Sequence, residues 1–183
     1  MACVAPRARG NVSESDAPLI LTAELPADLH RRYTELRTQH FPPERNYLKA
    51  HVTLFHAIPA QCEDELRRYL ARLAGELPPI EGQVEGLMSL GGGTAIKLSS
   101  PDLLFLRDEI AEHFRGMLTK QDQHRPRLHV TIQNKVTSKE AKAVQAQLAG
   151  LIEPREFTFP GLALHAYRGG PWEFLRRFAF RGN

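Results

Sequence analysis

Residues 51–59 are HVTLFHAIP, and the same opening returns 78 residues later as HVTIQNKVT at residues 129–137. With eight histidines and nine threonines in 183 residues, composition alone gives roughly 0.4 His-x-Thr triplets. If the second and fourth positions must also be apolar, in a chain that is 42% hydrophobic, the expected number falls to about 0.07. Two matches are therefore more than composition explains.

The composition is that of one domain or of two small lobes that pack together. The chain has enough hydrophobic residues for a core, and its net charge is only +3. This mild positive charge, without a tract of five lysines or arginines, suits a phosphate ester or RNA but does not indicate bulk nucleic-acid binding. Cys3 and Cys62 are too few for a disulfide framework or a thiolate zinc site, which favours a reducing compartment.

The N-terminal residues predict a flexible tail over 1–16, because they lack the apolar stretch of a signal peptide and include two arginines. No later segment approaches the roughly 18 apolar residues that a membrane helix needs. We therefore expect a cytoplasmic protein, without membrane association, whose residues 17–183 form a single domain.

Hydrophobic periodicity predicts the same order of elements twice: strand, helix, motif strand, helix, strand. In the first half these elements fall at 18–26, 29–40, 51–58, 62–77 and 78–90. In the second half the first strand falls at 94–100, and a helix begins at residue 101. The motif strand falls at 129–136, and a second helix begins at residue 138. Residues 155–180 are predicted to form two strands that turn at Gly169 and Gly170. Ser100 and the pair Thr137 and Glu140 are the predicted caps of the two second-half helices.

Matching elements of the two halves are displaced by about 76–78 residues, which is the signature of an internal repeat. The repeat halves span about 17–90 and 93–180. They predict a two-lobed α+β fold with an approximate twofold axis. Since such a repeat completes its own site, we expect a monomer.

Each motif strand has an apolar face and a polar face, because side chains alternate along a strand. A lone His-x-Thr would more often be structural, but two copies at matching positions favour two imidazoles and two hydroxyls aimed at one point. The polar faces consist of Lys49, His51, Thr53 and Phe55 in the first strand and of Arg127, His129, Thr131, Gln133 and Lys135 in the second.

These side chains suit in-line displacement at phosphorus. The reaction needs a base beside the attacking oxygen and an acid beside the leaving oxygen, and imidazole exchanges protons near neutral pH. Threonine hydroxyls can donate to the non-bridging oxygens as negative charge builds there. Lys49, Arg127 or Lys135 would supply countercharge, and Phe55 would offer a stacking face to a base.

The two motifs, HVTL and HVTI, one in each half of a small chain, resemble those of the two-histidine (2H) phosphoesterase superfamily. Within it the resemblance is to the bacterial 2′-5′ RNA ligase and RNA 2′,3′-cyclic phosphodiesterase group, and it covers roughly residues 17–180. It implies a bilobal fold of mainly antiparallel strands with flanking helices, in which the motif strands line a central cleft.

The resemblance also implies metal-independent chemistry, without a cofactor, on 2′,3′-cyclic phosphates or 2′-5′ linkages of RNA ends or nucleotides, with 2′-5′ ligation as the reverse reaction. His51 and Thr53 match the first motif, and His129 and Thr131 match the second. By the same resemblance His51 protonates the departing 3′ oxygen and His129 activates water. The symmetry of the pair leaves the reverse assignment open, and the sequence does not choose among the substrates.

Other features support weaker interpretations. A zinc site at His51 and His129 lacks a third ligand in any HxH, HExxH or cysteine pattern, and GGGT at 91–94 is a turn rather than a phosphate loop. Arg125 or Arg127 could hold an RNA phosphate. Tyr167 or Trp172 could lie at the cleft rim, although a hairpin with core aromatics is favoured there.

A non-catalytic RNA- or nucleotide-binding module with the same cleft is the alternative function. The presence of both histidines and both threonines favours the enzyme over this module. His56 is predicted to lie on the opposite face from His51, outside the site.

Overall fold

The computed structural model describes residues 16–183, so residues 1–15, which make up nearly all of the predicted tail, lie outside the described range. Eight strands are described: β1 (Leu19–Ala23), β2 (Val52–Ile58), β3 (Ile80–Ser89), β4 (Thr94–Ser99), β5 (His129–Gln133), β6 (Arg155–Phe159), β7 (Gly161–Ala166) and β8 (Glu173–Ala179). The α-helices of this range are α1 (Ala27–His40), α2 (Glu63–Glu76), α3 (Pro101–His113) and α4 (Ser138–Leu148). Short 3₁₀ turns at Pro43–Arg45 and Ala60–Cys62 precede β2 and α2.

The strands form two antiparallel four-stranded sheets, which confirms the predicted α+β class. The first sheet has the order β2-β1-β7-β8 and the second the order β5-β4-β3-β6. The motif strands β2 and β5 are edge strands of different sheets, and they contact each other. The two motifs therefore meet where the sheets adjoin.

Neither sheet is built from one of the predicted repeat halves. β3 comes from the first half but pairs with β4 and β6 in the second sheet. Conversely, β7 comes from the second half but pairs with β1 in the first sheet. The first half thus contributes β3 to the second sheet, and the second half contributes β7 and β8 to the first, so neither sheet can form from one half alone.

The prediction of two strands over 155–180 is wrong, because this segment forms three. Pro160 separates β6 from β7, and the chain crosses there from the second sheet to the first. A proline has no N–H to continue a ladder, which explains the interruption. Only β7 and β8 form the hairpin, with Gly169 at φ 89° in its turn.

Both predicted helix caps are confirmed. Ser100 Oγ accepts a hydrogen bond from the backbone N–H of Leu103 at 3.2 Å, with Pro101 at the first helical position of α3. Thr137 and Glu140 form a complete capping box at the start of α4. These local signals fix where the helices after β4 and β5 begin.

One cluster of buried apolar side chains includes residues of both sheets. α1 belongs to the first half of the chain but packs on β5, the motif strand of the second half, while α3 packs on β3. This exchange places side chains of α1 directly behind the second motif. None of the described helices is long and apolar enough to span a membrane.

Candidate active site

A β-bulge follows the threonine of the first motif. Thr53 pairs with Thr22 and Phe55 pairs with Leu21, so Leu54 is an extra residue in β2. A bulge interrupts the alternation of faces and turns the residues that follow. His51 and Thr53 are half-buried before the bulge, whereas Phe55 is fully buried after it.

The second motif has the same bulge at the same place. Thr131 pairs with Ala95 and Gln133 pairs with Thr94, so Ile132 is the extra residue in β5. Gln133, which corresponds to Phe55, is only 5% exposed. The two motifs are therefore presented by the same local backbone device.

The bulges correct the predicted polar faces. Phe55 offers no stacking face to a substrate, because it lies in the core with the guanidinium of Arg107 4.5 Å from its ring centroid. Lys135 is not on the strand: β5 ends at Gln133, and Lys135 lies in the following turn with φ 59°. In each strand the predicted face ends at the threonine, because one inserted residue reverses the alternation.

The same hydrogen bond orients both motif histidines. Nδ1 of His51 lies 2.7 Å from the carbonyl oxygen of Lys49, and Nδ1 of His129 lies 2.7 Å from the carbonyl oxygen of Arg127. A carbonyl oxygen only accepts, so Nδ1 donates in both rings and Nε2 holds the lone pair of the neutral imidazole. Within residues 16–183 no hydrogen bond involves either Nε2, so both are available to exchange a proton.

The surroundings of the two imidazoles differ. The His51 ring lies 4.6 Å from the Trp172 ring, centroid to centroid. Burial lowers the pKa of His51 to about 4; its hydrogen bond to a backbone carbonyl opposes this shift, and the charges of Arg37, His165 and His129 add to it.

Arg37 connects the two motifs from inside the protein. The Arg37 residue is only 3% exposed. On the side of the first motif, its Nε donates to the Leu48 carbonyl at 3.1 Å and its Nη2 donates to Asn46 Oδ1 at 3.1 Å. On the side of the second motif, its Nη1 donates to the Thr131 carbonyl at 2.6 Å. Burial lowers the pKa of Arg37 to about 10, which leaves it charged at neutral pH. Since no carboxylate of the described chain pairs with it, this buried cation contributes positive potential beside His51.

Sequence reasoning missed Arg37, although a signal was present. Leu29, Tyr33 and Arg37 follow one another at intervals of four on the buried face of α1. An arginine at such a core position points to a specific internal partner.

His56 comes after the bulge, so strict alternation from His51 does not fix its face; its partner is a buried carboxylate. Its ring and backbone N–H, together with the N–H of Ala57, bind the buried carboxylate of Asp122 at 2.8–3.2 Å. Burial opposes ionisation of Asp122, but these hydrogen bonds prevail and lower its pKa. Asp122 thus satisfies two backbone N–H groups of the edge strand β2.

A cavity of about 830 Å³ opens beside His51. Lys49 and Trp172 line it, whereas His129 and Tyr167 do not. Tyr167 is exposed on the surface, so of the two aromatic residues predicted for the cleft rim only Trp172 contacts a motif histidine. The exposed side chain of Arg127 does not line this cavity either.

No group of three or more His, Cys, Asp or Glu side chains within residues 16–183 is arranged to hold a metal ion. The motif histidines and threonines offer proton-exchanging and hydrogen-bond-donating groups, and Arg37 adds a positive charge behind them. Such a set can bind an oxyanion and move protons on either side of it.

Solved structures share this fold over nearly the whole chain. TT0787 of Thermus thermophilus has 20% identity and a TM-score of 0.58, with 91% of this chain and 99% of that chain covered. Escherichia coli LigT complexed with 3′-AMP has 19% identity and a TM-score of 0.58, with 90% and 98% covered. A crystal structure described as a phosphoesterase has 19% identity and a TM-score of 0.59, with 90% and 98% covered.

Among curated protein sequences, none gives a significant match. The family model of the 2′-5′ RNA ligase superfamily, in contrast, matches residues 25–171, which include both motifs and every helix of the described fold. The chain therefore belongs to the 2′-5′ RNA ligase superfamily of 2H phosphoesterases.

Proposed function

We propose that this protein hydrolyses 2′,3′-cyclic phosphates or 2′-5′ phosphodiesters of RNA ends or nucleotides, with His51 and His129 as the acid–base pair, and catalyses 2′-5′ ligation in reverse. The observation that carries the proposal is the matched Nδ1 hydrogen bond of the two histidines, which leaves both Nε2 atoms available. The complex of the similar E. coli LigT with 3′-AMP supports a nucleotide as the ligand.

For a cyclic phosphate the reaction is a single in-line displacement. Nε2 of His129 takes a proton from water as the water oxygen bonds to phosphorus. The bond from phosphorus to O3′ breaks, and O3′ takes the proton from Nε2 of His51. The product carries a 2′-phosphate and a free 3′-hydroxyl, and solvent restores the starting protonation of both imidazoles.

The remaining groups serve the charge that builds on the phosphate. No described residue hydrogen-bonds to the hydroxyl of Thr53 or Thr131, so both can donate to the non-bridging oxygens. With a pKa of about 4, His51 is neutral at pH 7 in the empty site. A bound phosphate anion raises that pKa, so substrate binding itself converts His51 into the acid.

The test is incubation of the protein with adenosine 2′,3′-cyclic monophosphate in excess EDTA. We expect product from the wild type and a loss of roughly a hundredfold or more in His51→Ala and in His129→Ala. His124→Ala replaces an exposed histidine outside the site and should keep wild-type turnover. Binding without product would favour the non-catalytic module, and full activity in either motif variant would overturn the assigned pair.

A further inference from the structure

We propose that the cavity beside His51 is the nucleoside subsite, in which the base of the substrate stacks on Trp172. This inference rests on the proposed function and deepens it, because it states on which side of the phosphorus the nucleoside lies. The cavity is formed by β1, β7 and β8 together with the segments before α1 and before β2. Its volume, about 830 Å³, is ample for one nucleoside.

Trp172 links the catalytic histidine to the cavity wall. Its ring centroid lies 4.6 Å from that of His51 and 5.7 Å from that of His165, which in turn lies 5.8 Å from the ring of Phe174. A base attached to a ribose whose oxygen lies at His51 would therefore meet a continuous aromatic surface. Stacking on such surfaces is favourable for every base.

The inner wall of the cavity carries no uncompensated charge. Burial lowers the pKa of His165, so its ring is neutral at pH 7. Its Nε2 lies 3.4 Å from Thr22 Oγ1, whose hydroxyl donates to the Ala163 carbonyl at 3.3 Å. These groups suit an uncharged heteroaromatic ring rather than a phosphate.

The two cationic side chains that line the cavity, Arg177 and Lys49, differ in whether an acidic group pairs with them. Arg177 is held by Glu24 at 2.6 Å, so its charge is compensated. Lys49, two residues before His51, is exposed and forms no ion pair within residues 16–183. The uncompensated positive charge thus lies at the His51 end, where the anionic end of a nucleoside cyclic phosphate would be.

The cavity also breaks the symmetry of the two motifs, because its lining includes His51 and not His129. A nucleoside bound there places its own ribose oxygens beside His51. The leaving O3′ then receives its proton from His51, and water attacks from the side of His129. The one-sided cavity therefore gives a structural reason for the acid role of His51.

Trp172 is the only tryptophan of the chain, so its fluorescence reports directly on the cavity. The experiment titrates the wild type with adenosine 2′-monophosphate, with ribose 5-phosphate and with inorganic phosphate, while exciting at a wavelength that adenine does not absorb. We expect saturable quenching by the nucleotide alone, because only the nucleotide has a base to stack. Absence of quenching by a nucleotide that binds with measurable affinity would overturn the subsite, whether or not the protein is an enzyme.

A second arm compares hydrolysis of adenosine 2′,3′-cyclic monophosphate with that of methyl ribofuranoside 2,3-cyclic phosphate, which lacks a base. We expect the wild type to prefer the nucleoside by roughly ten- to a hundredfold in kcat/KM, and Trp172→Ala to bring this ratio close to one. Trp172→Phe should keep part of the preference, and Phe105→Ala, an exposed aromatic residue outside the cavity, should keep all of it. An unchanged ratio in Trp172→Ala would refute the subsite, whereas quenching without hydrolysis of either substrate would refute only the proposed function.

Discussion

β2 and β5 present their motifs in the same way but place them in different surroundings. Each strand has a bulge after its threonine, and each histidine donates Nδ1–H to the carbonyl two residues earlier. His51 alone contacts Trp172 and lines the large cavity. The local geometry of the two imidazoles is therefore shared, whereas their environment is not.

Substitution of the two motif threonines tests whether the two strands also contribute equally to activity. Thr53→Val and Thr131→Val each remove a hydroxyl donor while keeping the branched shape of the side chain. We expect each variant to lose roughly ten- to a thousandfold in kcat, since a donor to the charge of the transition state is lost. Steady-state kinetics on a nucleoside cyclic phosphate measures this loss, and unchanged activity in either variant would remove that threonine from the mechanism.

Arg37 and Arg107 are a matched pair for testing why the environment of His51 differs from that of His129. Both are buried arginines on helices, but Arg37 binds the Thr131 carbonyl, whereas Arg107 binds the Asp122 carbonyl and covers Phe55. We expect Arg37→Met to lower the free energy of unfolding by roughly 1–3 kcal/mol, because three part-buried acceptors lose their donor. Arg107→Met should also destabilise the fold.

Only Arg37→Met should change the electrostatics of the site. Removal of its charge raises the pKa of His51 toward the ordinary value of histidine, because the positive charge of Arg37 helps to lower it. NMR titration of the imidazole measures the shift, with Arg107→Met as the control for a general loss of packing. An equal shift in both variants would mean that Arg37 acts on His51 only through stability.

The lowered pKa of His51 also predicts a pH dependence of stability. The unfolded chain protonates this imidazole near pH 6.5, whereas the folded chain does so at about 4. The unfolded state therefore binds more protons between these values, and the free energy of unfolding falls as the pH drops from about 6.5 to 4, by roughly 3 kcal/mol. Urea unfolding at pH 7 and pH 5 should show a smaller difference in His51→Asn than in the wild type, and an equal difference would contradict the lowered pKa.

The sequence predicts those parts of the fold that depend on local signals. The order of strands and helices up to β6, the cap at Ser100 and the capping box at Thr137 follow from periodicity and short-range hydrogen bonding, whereas the break between β6 and β7 at Pro160 was not predicted. Sheet membership does not follow, because nothing local distinguishes a strand that pairs within its own half from one that crosses, as β3 and β7 do.

The prediction of the site residues is correct only as far as the bulges in β2 and β5, for a similar reason. Strict alternation predicts Phe55 and Lys135 on the polar faces, and one inserted residue in each strand removes them from there. Arg37 and Trp172 reach the site from α1 and from the turn before β8, far from the motifs in sequence. Such long-range contacts depend on how the sheets and helices pack, which periodicity does not specify.

The central claim is that His51 and His129 act together in one displacement. The most direct test is to measure kcat for the wild type, His51→Ala, His129→Ala and the double variant on one nucleoside 2′,3′-cyclic monophosphate. If both protons move in one step, each single variant should lose nearly as much activity as the double variant, because either loss disables the pair. If the two losses instead multiply in the double variant, the histidines act independently and the paired mechanism is contradicted.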